Sequence, residues 1–274
     1  MERFTVRSSD GVAISVQKAG SGPPLLLVHG SMLNGAITWG AVTPALARHF
    51  AVYAMDRRGR APSGDATAYS FSLEADDLFH VAQAVRVRES GPITLLGHSY
   101  GALLLIEAYE RLRGGLREVE RLILYEPPVM LETRPGEVIA RMEKALEADS
   151  REEVIAIFLR EQVRAPAERV ARLKAAPFFP VLLEIAPTLP RESREVNTIR
   201  DWKQRLAGWT TPASMLLGTE TTGHLRDSAV FVAHAIPGCE IVTLAGQGHG
   251  AMMDNPDLFV SKVLEVAGVA TRSR

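Results

Sequence analysis

Ser99 sits at the centre of Gly97-His98-Ser99-Tyr100-Gly101, a G-x-S-x-G pattern. The run Ile93 to Leu96 before it suits a strand, and the apolar segment Ala102 to Arg111 after it has helical spacing. A serine on a sharp strand-to-helix turn is a candidate nucleophile. The flanking glycines let the backbones pass closely, and the turn holds the serine in a strained conformation. The start of the following helix favours a developing anion through its N–H groups and dipole. A hydroxyl is a weak nucleophile at neutral pH and needs a base. His249, in Gly246-Gln247-Gly248-His249-Gly250, is the candidate, histidine being the side chain that ordinarily titrates near neutral pH. His98 reads as packing or support beside the serine. The base in turn needs an orienting carboxylate. Two glutamates follow strand-like runs, Glu126 after Arg121–Tyr125 and Glu220 after Ala213–Gly218. Pro127-Pro128 favour an extended backbone at Glu126. An oxyanion needs two backbone donors, and the N–H groups of Tyr100 and Ser31 are the candidates.

The elements that must position these residues follow from the apolar pattern. Strands are expected at 3–8, 11–17, 25–28, 51–55, 93–96, 121–125, 213–217 and 240–244. The continuous run Leu25-Leu26-Leu27-Val28 suits a parallel strand covered on both faces. Helices are expected at 39–50, 73–88, 102–113 and 256–267. Between 129 and 210 the strands stop, and helical stretches near 136–148, 151–163, 166–175 and 192–206 are punctuated by prolines. Alternating strands and helices imply a parallel sheet with helices on both faces, here interrupted by an inserted helical cap. The expected division is a core of 1–128 and 211–274 and a cap of 129–210. In such sheets ligands bind beyond the carboxyl ends of the strands, where Ser99, Glu126, Glu220 and His249 would fall.

The chain of 274 residues, 46% hydrophobic and 23% charged, suits one large α/β domain carrying an insertion. Its 31 basic residues balance 32 acidic ones, so nothing points to nucleic acid or an anionic membrane surface. Cys239 is the only cysteine, which leaves no intramolecular disulfide and no cysteine-based metal site. With no apolar leader at the start and no long apolar run, a cytoplasmic location is expected. No cofactor or metal is expected, and assembly as a homodimer is left open.

Four segments in this order resemble the α/β-hydrolase fold superfamily, in its cap-bearing esterase and lactonase-like branch. They are Val28-His29-Gly30 with Trp39, Asp56-Arg57-Arg58-Gly59-Arg60-Ala61-Pro62-Ser63, Gly97 to Gly101, and Gly246 to His249. The resemblance implies a mostly parallel eight-stranded sheet with an inserted cap. The arginine-rich segment reads as a structural turn with a basic rim. The family's usual acid lies three residues past the glycine that ends the strand after the cap, and Thr221 occupies that position. Some relatives, among them haloalkane dehalogenases and a zearalenone-lactonase-like group, carry the acid after the strand before the cap. That placement favours Glu126 over Glu220. The implied activity is cleavage of an apolar carboxylic ester or lactone through Ser99, His249 and Glu126. Phe178 and Phe179 are expected to face the substrate, among the apolar residues 178–185. A cofactorless lyase of the hydroxynitrile-lyase type and a non-catalytic ligand-binding protein are the alternatives on the same fold.

Overall fold

The computed structural model describes residues 2–116, 119–131, 136–221 and 223–269. They form two compact units, one of Met1–Gly30, Asn34–Val129 and Asp201–Arg274, the other of Ser31–Leu33 and Met130–Arg200.

The first unit holds an eight-stranded sheet of β1 (Glu2–Arg7), β2 (Ala13–Ala19), β3 (Pro24–Val28), β4 (Ala51–Met55), β5 (Ile93–His98), β6 (Val119–Tyr125), β7 (Ala213–Gly218) and β8 (Glu240–Leu244). Their order is β1-β2-β4-β3-β5-β6-β7-β8, and only β2 runs against its neighbours. Every residue of β3, β4 and β7 is buried, as continuous apolar strands in a doubly covered parallel sheet must be. On one face Leu25, Leu27, Val52 and Leu96 pack with Trp39, Leu46, Phe259 and Val263 from the helical segments. The register aligns the strand ends: Val28 pairs with Gly97, His98 with Tyr125, Tyr125 with Leu216, and Gly218 with Leu244. The residues that follow β3, β5, β6, β7 and β8 therefore emerge side by side along one edge.

Several helices differ from expectation. The single helix expected at 39–50 is two short ones, Gly35–Trp39 and Thr43–Leu46, separated at Gly40, with Pro44 in the first turn of the second as proline prefers. The helix after the serine begins at Tyr100 rather than 102 and runs to Gly115. Gly223–Ala235, which the apolar pattern did not mark, is a full helix between β7 and β8. Among the described residues no helix is long and apolar enough to cross a membrane.

The second unit is helical and is built on its own apolar cluster, in which Met142, Val154, Ile155, Leu159, Leu182 and Leu189 are nearly inaccessible. Its bounds differ from the expected 129–210. The helix expected at 192–206 breaks at Ile199–Asp201, where Asp201 takes a positive φ of 61°. Residues beyond the break pack with the sheet unit: Trp202 and Leu206 are buried, and Trp209 stacks on Tyr109 with centroids 3.9 Å apart. The Tyr109 hydroxyl also accepts from the Thr210 and Thr211 N–H groups at 2.7 and 3.1 Å.

Candidate active site

Ser99 lies between β5 and its helix with φ 54° and ψ −121°, a conformation costly for any residue with a Cβ. The turn closes this tightly because both flanking glycines are needed. A Cβ on Gly101 would fall 2.3 Å from the Val28 carbonyl oxygen, and one on Gly97 would fall 2.6 Å from the Gly101 oxygen. The Ser99 N–H donates to the Tyr125 carbonyl at 2.8 Å, which ties the turn to β6. Tyr100 is the first residue of the helix, where N–H groups lack intrahelical acceptors and face the helix start.

His249 Nδ1 lies 2.6 Å from Glu126 Oε2. Glu126 is wholly inaccessible, while the His249 side chain is 15% exposed. The other carboxylate oxygen, Oε1, accepts from the Gly218 N–H at 2.8 Å and the Thr221 hydroxyl at 2.7 Å. A buried carboxylate with charge-assisted hydrogen bonds on both oxygens meets the condition for burying such a group. Glu220, the other acid considered, is exposed, and its backbone N–H binds the Gln247 carbonyl at 2.9 Å. The structure thus brings Glu126 to His249 and turns Glu220 to solvent. Glu126 is not in the extended backbone expected before proline; its φ is 48°. The turn is braced by Ser228, whose hydroxyl donates to the Pro127 carbonyl and accepts from the Val129 N–H at 2.7 Å.

The loop bearing His249 is held from two sides. The Tyr125 hydroxyl donates to the Gly248 carbonyl and accepts from the Ala251 N–H at 3.1 Å. His98 Nε2 lies 2.9 Å from the His249 carbonyl oxygen, and the two rings sit 4.5 Å apart. His98 therefore supports the loop of the residue that partners Glu126, a role its position beside Ser99 left open.

The arginine-rich turn is not a rim. Asp56, Arg57, Arg58 and Arg60 are all at most 1% exposed. Arg58 forms a two-point ion pair with Asp77 at 2.6 and 2.8 Å and reaches Asp10 at 3.0 Å. Arg57 Nε pairs with Glu74 at 2.7 Å, and its guanidinium lies 4.2 Å from the Tyr100 ring centre. Glu74 also accepts from Tyr69, whose hydroxyl meets that of Tyr100 at 2.7 Å. Hydropathy places arginines outside; here carboxylates on a distant helix, Phe71–Arg88, neutralise them. Burial pushes the Asp56 carboxyl up to about 6, against which the Gly35 N–H donates to it at 2.9 Å.

Gly30 lies against the serine: a Cβ there would come 3.0 Å from Ser99 Cβ. Its carbonyl accepts from Arg57 Nη1 at 2.9 Å and contacts His29 Nδ1 at 2.8 Å. His29 Nε2 receives the Arg57 backbone N–H at 3.1 Å, so the imidazole proton sits on Nδ1. Burial, then the charges of Arg57 and Arg60, hold His29 well below the usual histidine range and keep it neutral. Ser31, the next residue, belongs to the second unit. Phe178 and Phe179 also lie there, half-buried against its apolar cluster. Leu182 and Ile185, from the same run, are core residues of that unit rather than a lining.

A family profile described as alpha/beta hydrolase family matches residues 25–262. A solved structure of an alpha/beta hydrolase from Sphaerobacter thermophilus is 32% identical, with 96% of this chain and 99% of that chain covered and a TM-score of 0.83. Est816, described as an N-acyl homoserine lactone degrading enzyme, is 25% identical, with 96% and 99% covered and a TM-score of 0.70. N-formylmaleamate deformylase of Pseudomonas putida is 38% identical over 112 residues, 40% of this chain and 39% of that protein.

Proposed function

The chain belongs to the alpha/beta hydrolase family, and on that premise we propose that it is a serine hydrolase of carboxylic esters or lactones. The observation that carries the reading is the buried Glu126 carboxylate 2.6 Å from His249 Nδ1. With its Nδ1–H donating a hydrogen bond to the Glu126 carboxylate, His249 presents Nε2 as the base. His249 removes the Ser99 proton as the serine oxygen attacks the substrate carbonyl. The Tyr100 N–H, at the start of the helix that follows Ser99, receives the charge that develops on the carbonyl oxygen. Arg57 and His29 both bind the Gly30 carbonyl and so hold the backbone at Gly30, which lies against Ser99. Protonated His249 then gives its proton to the leaving alkoxide, leaving an acyl-serine. Water, deprotonated by His249, attacks the acyl carbon and releases the acid, with the proton returning to Ser99. The lactone-degrading relative supports an ester or lactone as the substrate class.

The test is Ser99→Ala on a panel of p-nitrophenyl esters, lactones and N-formyl amides, the last because of the deformylase relative. Turnover is expected to fall at least about 10³-fold with the melting temperature kept. A fluorophosphonate should label Ser99 in the unaltered chain. Retained ester and lactone turnover in Ser99→Ala, or an unaltered chain that leaves the panel intact while splitting a cyanohydrin into aldehyde and cyanide, overturns the proposal.

A further inference from the structure

Resting on the hydrolase reading above, we propose that Thr221 is a positioning residue for the proton relay: its hydroxyl holds the plane of the Glu126 carboxylate so that one oxygen stays on His249. The terminal torsion of a glutamate side chain is soft and roughly two-fold. A carboxylate held by one partner can swing about it, and the His249 contact alone does not stop that motion. Here Oε1 takes two donors, the Gly218 N–H at 2.8 Å and the Thr221 hydroxyl at 2.7 Å, while Oε2 meets His249 Nδ1 at 2.6 Å. Three hydrogen bonds, two on Oε1 and one on Oε2, restrain the carboxylate plane.

The two donors differ in kind. The Gly218 N–H belongs to the last residue of β7 and is set by the sheet. Gly218 is itself required, since a Cβ there would lie 2.2 Å from the Gln247 carbonyl oxygen. The Thr221 hydroxyl is set by a side chain, and that side chain is 5% exposed. The Thr221 N–H turns back to the Gly218 carbonyl at 3.2 Å, which brings its hydroxyl beside the Gly218 N–H. A short turn therefore carries both donors to one oxygen. Thr221 does not touch the reacting atoms; it acts through Glu126 on the orientation of His249.

The experiment compares Thr221→Val and Thr221→Ser with the unaltered chain in steady-state hydrolysis of p-nitrophenyl butyrate. Thr221→Val keeps the shape and removes the donor. A hydrogen bond to a charged group corresponds to about a ten- to hundredfold effect. Thr221→Val should lower kcat by that factor with KM within twofold, because the lost constraint acts on proton transfer rather than on substrate binding. Thr221→Ser restores the donor and should stay within about threefold of the unaltered kcat. Near-ultraviolet circular dichroism and melting confirm the fold, and Thr221→Ala replaces the valine variant if that one does not fold. A Thr221→Val kcat within twofold of the unaltered chain, or a Thr221→Ser loss as large as the valine loss, overturns the proposal. Ser99→Ala is run beside them. If it is silent while Thr221→Val is fully active, the positioning role fails and the hydrolase reading stands. If Ser99→Ala turns over the ester, the reading fails and the Thr221 role falls with it.

Discussion

Glu126→Gln should abolish turnover through a tautomer, not through lost charge alone. Glu126 Oε1 receives two donors, the Gly218 N–H and the Thr221 hydroxyl. In the glutamine side chain the carbonyl oxygen must take that position, because an amide NH₂ there would face the Gly218 N–H donor to donor. The NH₂ group then occupies the place of Oε2, 2.6 Å from His249 Nδ1 in the unaltered chain. To avoid a second donor clash, Nδ1 must become an acceptor, so the ring proton moves to Nε2. That nitrogen is the one that has to accept the Ser99 proton. A wrong tautomer of this kind costs on the order of 10⁴ in kcat. Initial rates with p-nitrophenyl butyrate from pH 6 to 9 measure it, with thermal melts to confirm folding. Glu220→Gln in the same assay should change kcat less than about twofold, since substituting an exposed side chain changes little. Glu126→Gln retaining a tenth of the unaltered kcat, or Glu220→Gln collapsing it, would refute the assignment of the acid and the orientation argument together.

Two further perturbations concern the buried turn. Burial pushes the Asp56 carboxyl up to about 6 in the folded chain, against about 3.9 for an aspartate in the unfolded chain. Between those two values the native state binds the proton and the unfolded state does not, so this group's contribution to stability falls as pH rises. The full loss is about 3 kcal/mol. Asp56→Asn keeps an oxygen for the Gly35 N–H and should be more stable than the unaltered chain at pH 8 by up to that amount, with the gap closing by pH 4. Urea unfolding at both pH values reads the difference, and a gap that does not change with pH would exclude the burial argument. Arg58→Met strands Asp77 in the interior without its two-point partner, and should cost about 3–5 kcal/mol. A loss under 1 kcal/mol in the same urea assay would mean that the pair is not holding the turn.

The sharp turn at Ser99, the strand-rich core and the presence of a helical insertion were legible in residues close together in the chain. Glycines on either side of Ser99 and the unbroken apolar runs of β3 and β4 act through local sterics and burial, which nearest neighbours decide. His249 was legible for a related reason: a histidine in a glycine-rich loop after the last strand has one sheet edge to stand on. The choice between Glu126 and Glu220 was not legible from those local signals. The two lie at the ends of adjacent strands, β6 and β7, and differ in whether the side chain turns inward to His249 or outward to solvent. The burial of Arg57 and Arg58 was hidden likewise, because Glu74, Asp77 and Asp10 neutralise them from elements remote in sequence. So the sequence by itself determined the fold family and the turn that exposes Ser99, through short-range sterics and apolar pattern. Only the tertiary structure decided which carboxylate meets His249, because a charge is buried only where distant parts of the chain converge to hold it.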